Sequence, residues 1–160
     1  MKKASLLLTI VLTSTLFFNA RAQSDSGVKG ELIFSKHANE CLLVMDQAAR
    51  DMEVKGVALV AFIPGDTTTS WTSKMIVVGA LRNSSASFLA IAYSKAAEMA
   101  DTYKDSGSGS REVLHGEFGY QGGIIKKVGS AYILAVFSGA SGEQDAEIAR
   151  AGVDCLSEQF

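Results

Sequence analysis

From Ala131 to Phe137 every position is apolar or aromatic, and the run is bounded by Gly129-Ser130 and Ser138-Gly139. Such a run is short for a helix, and its Val, Ile, Tyr and Phe suit a buried strand. A partner strand enters from Gly122-Gly123 and joins it through Gly129-Ser130. Val57–Ile63 is a second unbroken apolar run and stops at Pro64-Gly65-Asp66, which reads as a central strand entering a turn. Thr67–Ser70 extends that turn, and Trp71–Leu81 follows as a strand paired antiparallel with the first.

Helical spacing fills the rest. Between Glu31 and about Lys55, Ile33, His37, Cys41, Val44, Met45, Ala48 and Met52 recur at three- and four-residue intervals and predict an amphipathic helix. A second helix runs to about Lys104, with N-caps offered by Asn83, Ser84 and Ser85 and a stripe of Phe88, Ala92, Ala96, Met99 and Tyr103. Ser141 offers the N-cap of the last helix, and Gln144 three residues on completes a capping box. Glu143 and Asp145 place negative charge in its first turn, where the helix dipole favours it. Its stripe is Ile148, Ala149, Gly152, Cys155 and Leu156. Asp105–Ser110 reads as a flexible breaker, and Arg111–His115 as a short strand or an ordered loop. The order α-β-β-α-(β)-β-β-α predicts an α+β class: a largely antiparallel central sheet flanked by helices, in one domain over 31–160.

The N-terminus follows a different pattern. Lys2 and Lys3 precede an apolar run from Leu6 to Phe18, and Asn19-Ala20-Arg21-Ala22 follows. A basic start, a short apolar core and an A-x-A site describe a secretory signal peptide over 1–22, cleaved near Ala22. The run is too short for a stable membrane anchor. Residues 23–30 form a small, polar, flexible lead-in. A periplasmic or secreted location is expected.

Cleavage there removes three of the 15 basic residues and none of the 17 acidic ones, leaving 12 against 17 and a formal charge of −5. Nucleic acid and anionic membranes both call for a basic surface, so neither is an expected partner. The 48% hydrophobic content supports a single core of domain size.

Cys41 and Cys155 lie on the apolar stripes of the first and last helices. In an oxidising compartment they would form a disulfide if those helices pack side by side. The alternative is two separate buried thiols; the bridge is the preferred reading. No C-x-x-C pair is present for thiol–disulfide catalysis.

The C-terminal third carries a likeness. Gly122-Gly123, an apolar strand, Ser138-Gly139-Ala140, then Glu143-Gln144-Asp145 and Ile148-Ala149 resemble the closing signature of the GlcG/HbpS-like family of haem-binding proteins. Ser94-Lys95-Ala96 resembles that family's second motif, and the resemblance spans about Cys41 to Leu156. Ile124-Ile125 replace the family's usual residue-and-Pro, and Glu98-Met99 its common Thr-Ala. The resemblance implies a profilin-like or Roadblock-like sheet, assembly into homo-oligomers, and haem or a related tetrapyrrole as ligand.

A haem site needs an apolar slot, an axial ligand, and cations or hydroxyls for the propionates. His115 is the candidate iron ligand and the one metal-ligating residue proposed. Phe118 and Tyr120 are candidates for ring contact, Gly122 and Gly123 for close backbone approach, and Lys95, Lys126 or Lys127 for the propionates. Several have a plainer reading: His115 as a surface or loop histidine, the glycines as a turn with positive φ, and Lys126-Lys127 as a solvated pair. His37, on the stripe of the first helix, reads as a core or half-buried residue rather than a ligand. No G-x-S-x-G, H-E-x-x-H or Walker motif occurs, and the two histidines, 78 residues apart, make no local metal site. Three functions are therefore carried forward: haem capture, storage or slow oxidative degradation; an oligomerising interaction module without a small ligand; and an enzyme acting on a small metabolite.

Overall fold

The computed structural model describes residues 3–160, with side chains from residue 27 onward, so the expected signal peptide lies outside the residues whose side chains are described. Seven elements follow in the order α1 (Lys3–Asp51), β1 (Gly56–Ile63), β2 (Thr72–Val78), α2 (Phe88–Thr102), β3 (Gly123–Val128), β4 (Ala131–Ser138) and α3 (Gly142–Ser157). The strands form one antiparallel sheet in the order β2-β1-β4-β3. The class is α+β, as the pattern predicts, and Arg111–His115 is an ordered loop rather than a strand.

The unbroken apolar runs now have a physical reason. β1 and β4 are the two central strands, aligned so that Leu59 faces Val136 and Val60 faces Ala135. Successive side chains of a strand point to opposite faces, and here both faces are covered. Ala58, Val60, Phe62, Ile133, Ala135 and Phe137 pack beneath α1 and α3. Val57, Leu59, Ala61, Ile63, Leu134 and Val136 pack beneath α2. No position of either strand is left for a charge. The edge strands β2 and β3 instead carry Lys74, Lys126 and Lys127, which deter pairing with another chain.

The buried face of α1 lies one residue away from the predicted stripe. Phe34, Ala38, Cys41, Leu42, Met45 and Ala49 are buried, whereas Val44 is exposed and Ile33 and His37 are half-buried. Cys41 and Met45 belong to both stripes, but Phe34 is the residue that stacks on Phe62 of β1 and so sets the rotation. The helix also starts before Glu31. Gly27–Gly30 lie on it, and Gly30 is buried with its missing Cβ replaced by the Phe62 ring. At the other end Glu53 turns into the left-handed region, and Val54 N–H donates back to Ala49 O, closing the helix.

α1 and α3 pack side by side, and Cys41 and Cys155 are joined with their Cα atoms 5.5 Å apart. Gly152 of α3 lies against the Met45 thioether, so the helices approach more closely than a larger residue would allow. Among the described residues, no helix is long and apolar enough to cross a membrane.

Candidate functional site

α2 carries the site, and a turn positions it. Asn83 Oδ1 accepts the N–H groups of Ser85 and Ala86, which folds residues 83–87 over the helix start. The N-cap is therefore Ser87, accepting Ala90 N–H, rather than any of Asn83, Ser84 or Ser85. Ser94, Lys95, Glu98 and Asp101 then project from the helix toward the 105–122 segment and α3. Ser94 Oγ accepts Phe118 N–H, Glu98 Oε1 accepts Gly107 N–H, and Asp101 pairs with Arg111 at 2.8 Å.

Those contacts order a loop that its Gly and Ser content marked as flexible. Ser106 is buried, exchanges backbone and side-chain bonds with Gly123, and stands beside Asp105, whose carboxylate accepts Ile125 N–H. Arg111 grips Glu117 through both terminal guanidinium nitrogens, at 2.8 and 2.7 Å, while Glu117 also accepts Leu114 N–H. This fork holds the Glu117 carboxyl below the usual carboxylate range. A depressed folded-state pKa contributes stability above the unfolded-state value and loses it as pH falls through the folded value. Between neutral pH and about pH 3, the urea midpoint of the protein should fall more steeply than that of Glu117→Gln. Parallel acid limbs would show that the fork adds no stability.

A cleft of about 450 Å³ opens where this loop, α2 and the start of α3 meet. Ala86, Phe88 and Ile91 give one wall, Gly119, Tyr120 and Gln121 a second, and Ser138 to Gly142 a third. The turn that gives the third wall leads into the predicted capping box, with Ser141 Oγ accepting Gln144 N–H. Lys95 and Asp145 form the floor. The Lys95 ammonium donates to Asp145 Oδ2 at 2.7 Å and to Phe137 O at 2.8 Å, and Ala140 N–H donates to Asp145 Oδ1 at 2.9 Å. Both side chains are all but inaccessible to solvent. Burial pushes the Lys95 amine down and the Asp145 carboxyl up, each shift opposed by the partner's charge.

Of the residues singled out in the sequence, Lys95 and Tyr120 line this cleft, and Gly122 lies beneath it. Gly122 adopts φ +120°, and the place of its missing Cβ is taken by Lys95 and Asp145. Gly123 is buried against Met99 and Ser106. Gly122 thus makes room for the buried ion pair, and Gly123 for Met99 and Ser106. His115 is exposed in the loop and is not among the lining residues. Phe118 and Tyr120 stack on each other, with centroids 5.6 Å apart, and both are exposed. Lys126 pairs with Ser157 and Asp154, and Lys127 with Asp66, all away from the cleft. Among the described residues, no group of three or more His, Cys, Asp or Glu is placed to hold a metal ion.

Sequence reading placed Asp145 in the helix dipole and in the family signature but missed its pairing with Lys95, and it missed the place of Asn83 and Gln121 in the cleft lining. The pairing of Lys95 with Asp145 crosses 50 positions. The signal present was the motif spacing around each, without anything that joins the two.

No protein-family model matches the chain, and none of the curated proteins compared matches it. Among solved structures, the fold is similar to that of the Klebsiella pneumoniae protein ORFY, described by the family-model DUF336, with a TM-score of 0.54 and 14% sequence identity. The alignment covers 76% of this chain and 88% of ORFY. The likeness shows that the chain shares the α+β fold of ORFY.

Proposed function

We propose that this chain is an exported haem- or tetrapyrrole-binding protein that captures or stores its ligand. The carrying observation is the cleft itself: an open slot with Phe88, Ile91 and Tyr120 in its walls, built from the segments that resemble the haem-binding family. A flat macrocycle needs apolar walls, one donor atom and polar groups at one edge. Phe88 and Ile91 meet the first need and Tyr120 the second. Gln121, Asn83 and the start of α3 offer neutral polar groups for carboxylates, in place of the Lys95 suggested by sequence. Bound haem would supply a ferric iron with an open coordination position. The Cys41–Cys155 bond fits an oxidising compartment, and the 1–22 pattern fits export.

Binding is better supported than catalysis. The acid and base on the cleft floor, Asp145 and Lys95, neutralise each other and are closed off by Phe137 O and Ala140 N–H. Neither is free to move a proton to a ligand.

The interaction-module reading rests on a different feature. Val113, Leu114, Phe118 and Tyr120 are large, apolar or aromatic and exposed on one loop. Clustered exposed apolar residues mark contact surfaces more often than scattered ones do, and homo-oligomer formation would cover them.

Titration of the protein with ferric haemin separates the two. Saturable binding at one equivalent, with a shifted Soret band, is the result expected. A featureless titration, with a concentration-dependent oligomer, would move the function to the interaction module. Loss of the Soret band under reductant and oxygen, with a bile-pigment-like product, would make the protein a haem-degrading enzyme.

A further inference from the structure

We propose that Tyr120, and not His115, is the side chain that ligates iron in this cleft, and that the site is consequently built for the ferric state. This inference rests on the haem reading above. Three of the residues lining the cleft carry an atom able to bind iron through nitrogen or anionic oxygen: Lys95, Asp145 and Tyr120. Lys95 and Asp145 are committed to each other and to backbone groups of β4 and the turn after it. Withdrawing either leaves the other buried without a counter-charge, which is costly. Tyr120 has no such commitment; its ring is half in solvent and steadied by the Phe118 ring.

The loop explains why His115 does not take the role. It is pinned on both sides of the histidine, by Arg111 gripping Glu117 and by Phe118 N–H on Ser94 Oγ. His115 stands in solvent between these clamps, while the chain after Phe118 runs into the cleft wall.

Ligation by Tyr120 is balanced without a redox partner. The phenol Oη releases its proton to solvent and donates an electron pair to ferric iron, displacing a weakly held water. A phenolate is a hard anionic donor, so it favours iron(III) over iron(II). The pocket should therefore retain oxidised haem and release it on reduction.

The test compares ferric haemin titrations of the full protein with those of Tyr120→Phe and His115→Ala. Phenylalanine keeps the ring and its stack on Phe118 and removes only the oxygen. The wild type should show the visible charge-transfer band and resonance Raman modes of an iron–phenolate bond. Tyr120→Phe should lose both, with affinity reduced by more than the roughly 10–100-fold that loss of an outer-sphere partner costs. His115→Ala should keep the spectrum and the affinity, and dithionite should release haem from the wild type. Saturable haem binding with the phenolate signature retained in Tyr120→Phe, or with binding lost in His115→Ala, overturns the inference and leaves the haem reading standing. Failure of the wild type to bind haemin overturns both.

Discussion

Lys95→Met lowers the stability of the folded protein by about 3–5 kcal/mol at neutral pH. The substitution conserves most of the buried volume on α2, so the loss comes from stranding the Asp145 carboxylate in an almost inaccessible site. It should also carry a distinctive pH dependence. Burial already pushes the Asp145 carboxyl up, and removal of the ammonium takes away the strongest opposing influence. A carboxyl with a raised folded-state pKa gives stability that is fully present below its unfolded-state value and is lost as pH rises through the folded value. The deficit of Lys95→Met should accordingly shrink on acidification toward about pH 4, where Asp145 is protonated in the native state. Adding Asp145→Leu should restore part of the loss, since an apolar pair replaces an ion pair at little cost. Restoration stays partial because Phe137 O and Ala140 N–H each lose a partner. Urea unfolding of the two variants across this pH range is the measurement. A deficit below about 1 kcal/mol for Lys95→Met would mean that the pair behaves like a surface salt bridge.

The pair also shows where reading the sequence succeeds and where it stops. Burial that repeats along a single segment is legible. The apolar runs at Val57–Ile63 and Ala131–Phe137, the Ser141–Gln144 capping box and the Gly129-Ser130 connection are all local patterns, and each is realised in the fold. The register of helix rotation is less legible. The stripes Ile33–Met52 and Phe34–Ala49 differ by one residue, and only the stacking of Phe34 on Phe62 distinguishes them. Spacing along α1 contains no information about the residue waiting on the sheet.

Order in the 105–122 segment was hidden for a related reason. Ser and Asp are read as breakers because their side chains compete with helix and strand for backbone groups, and Gly because its free backbone is costly to order. The same chemistry becomes a set of anchors once a sheet edge and a helix are beside them, as Ser106 on Gly123 and Asp105 on Ile125 show. The cleft inherits this limit. Gly122 was recognisable from its motif and Tyr120 from its place beside it, but the loop that carries both Tyr120 and His115 is fixed by Ser94, Asp101 and Arg111. These are contacts between distant parts of the chain.

Cys41→Ala/Cys155→Ala should lower stability by about 4 kcal/mol in the chain-entropy model of cross-linking. The bond spans a sequence separation of 114, close to the full length of the folded domain, so it removes a large share of the unfolded chain's freedom. Against a total of about 5–15 kcal/mol for a domain of this kind, the remaining stability is small. The protein has just two cysteines, so reductant applied to the wild type should reproduce the double variant, and reductant applied to the double variant should do nothing. The dependence on urea should steepen as well, because an uncross-linked chain exposes more surface when it unfolds. If instead the variant unfolds at the wild-type midpoint, α1 and α3 are held by their packing alone, chiefly the close approach of Gly152 to Met45. With the larger effect, stability becomes a function of the redox state around the chain. A protein so dependent on one disulfide is poorly suited to a reducing compartment, so the bond that secures the fold is also the one that favours the proposed export.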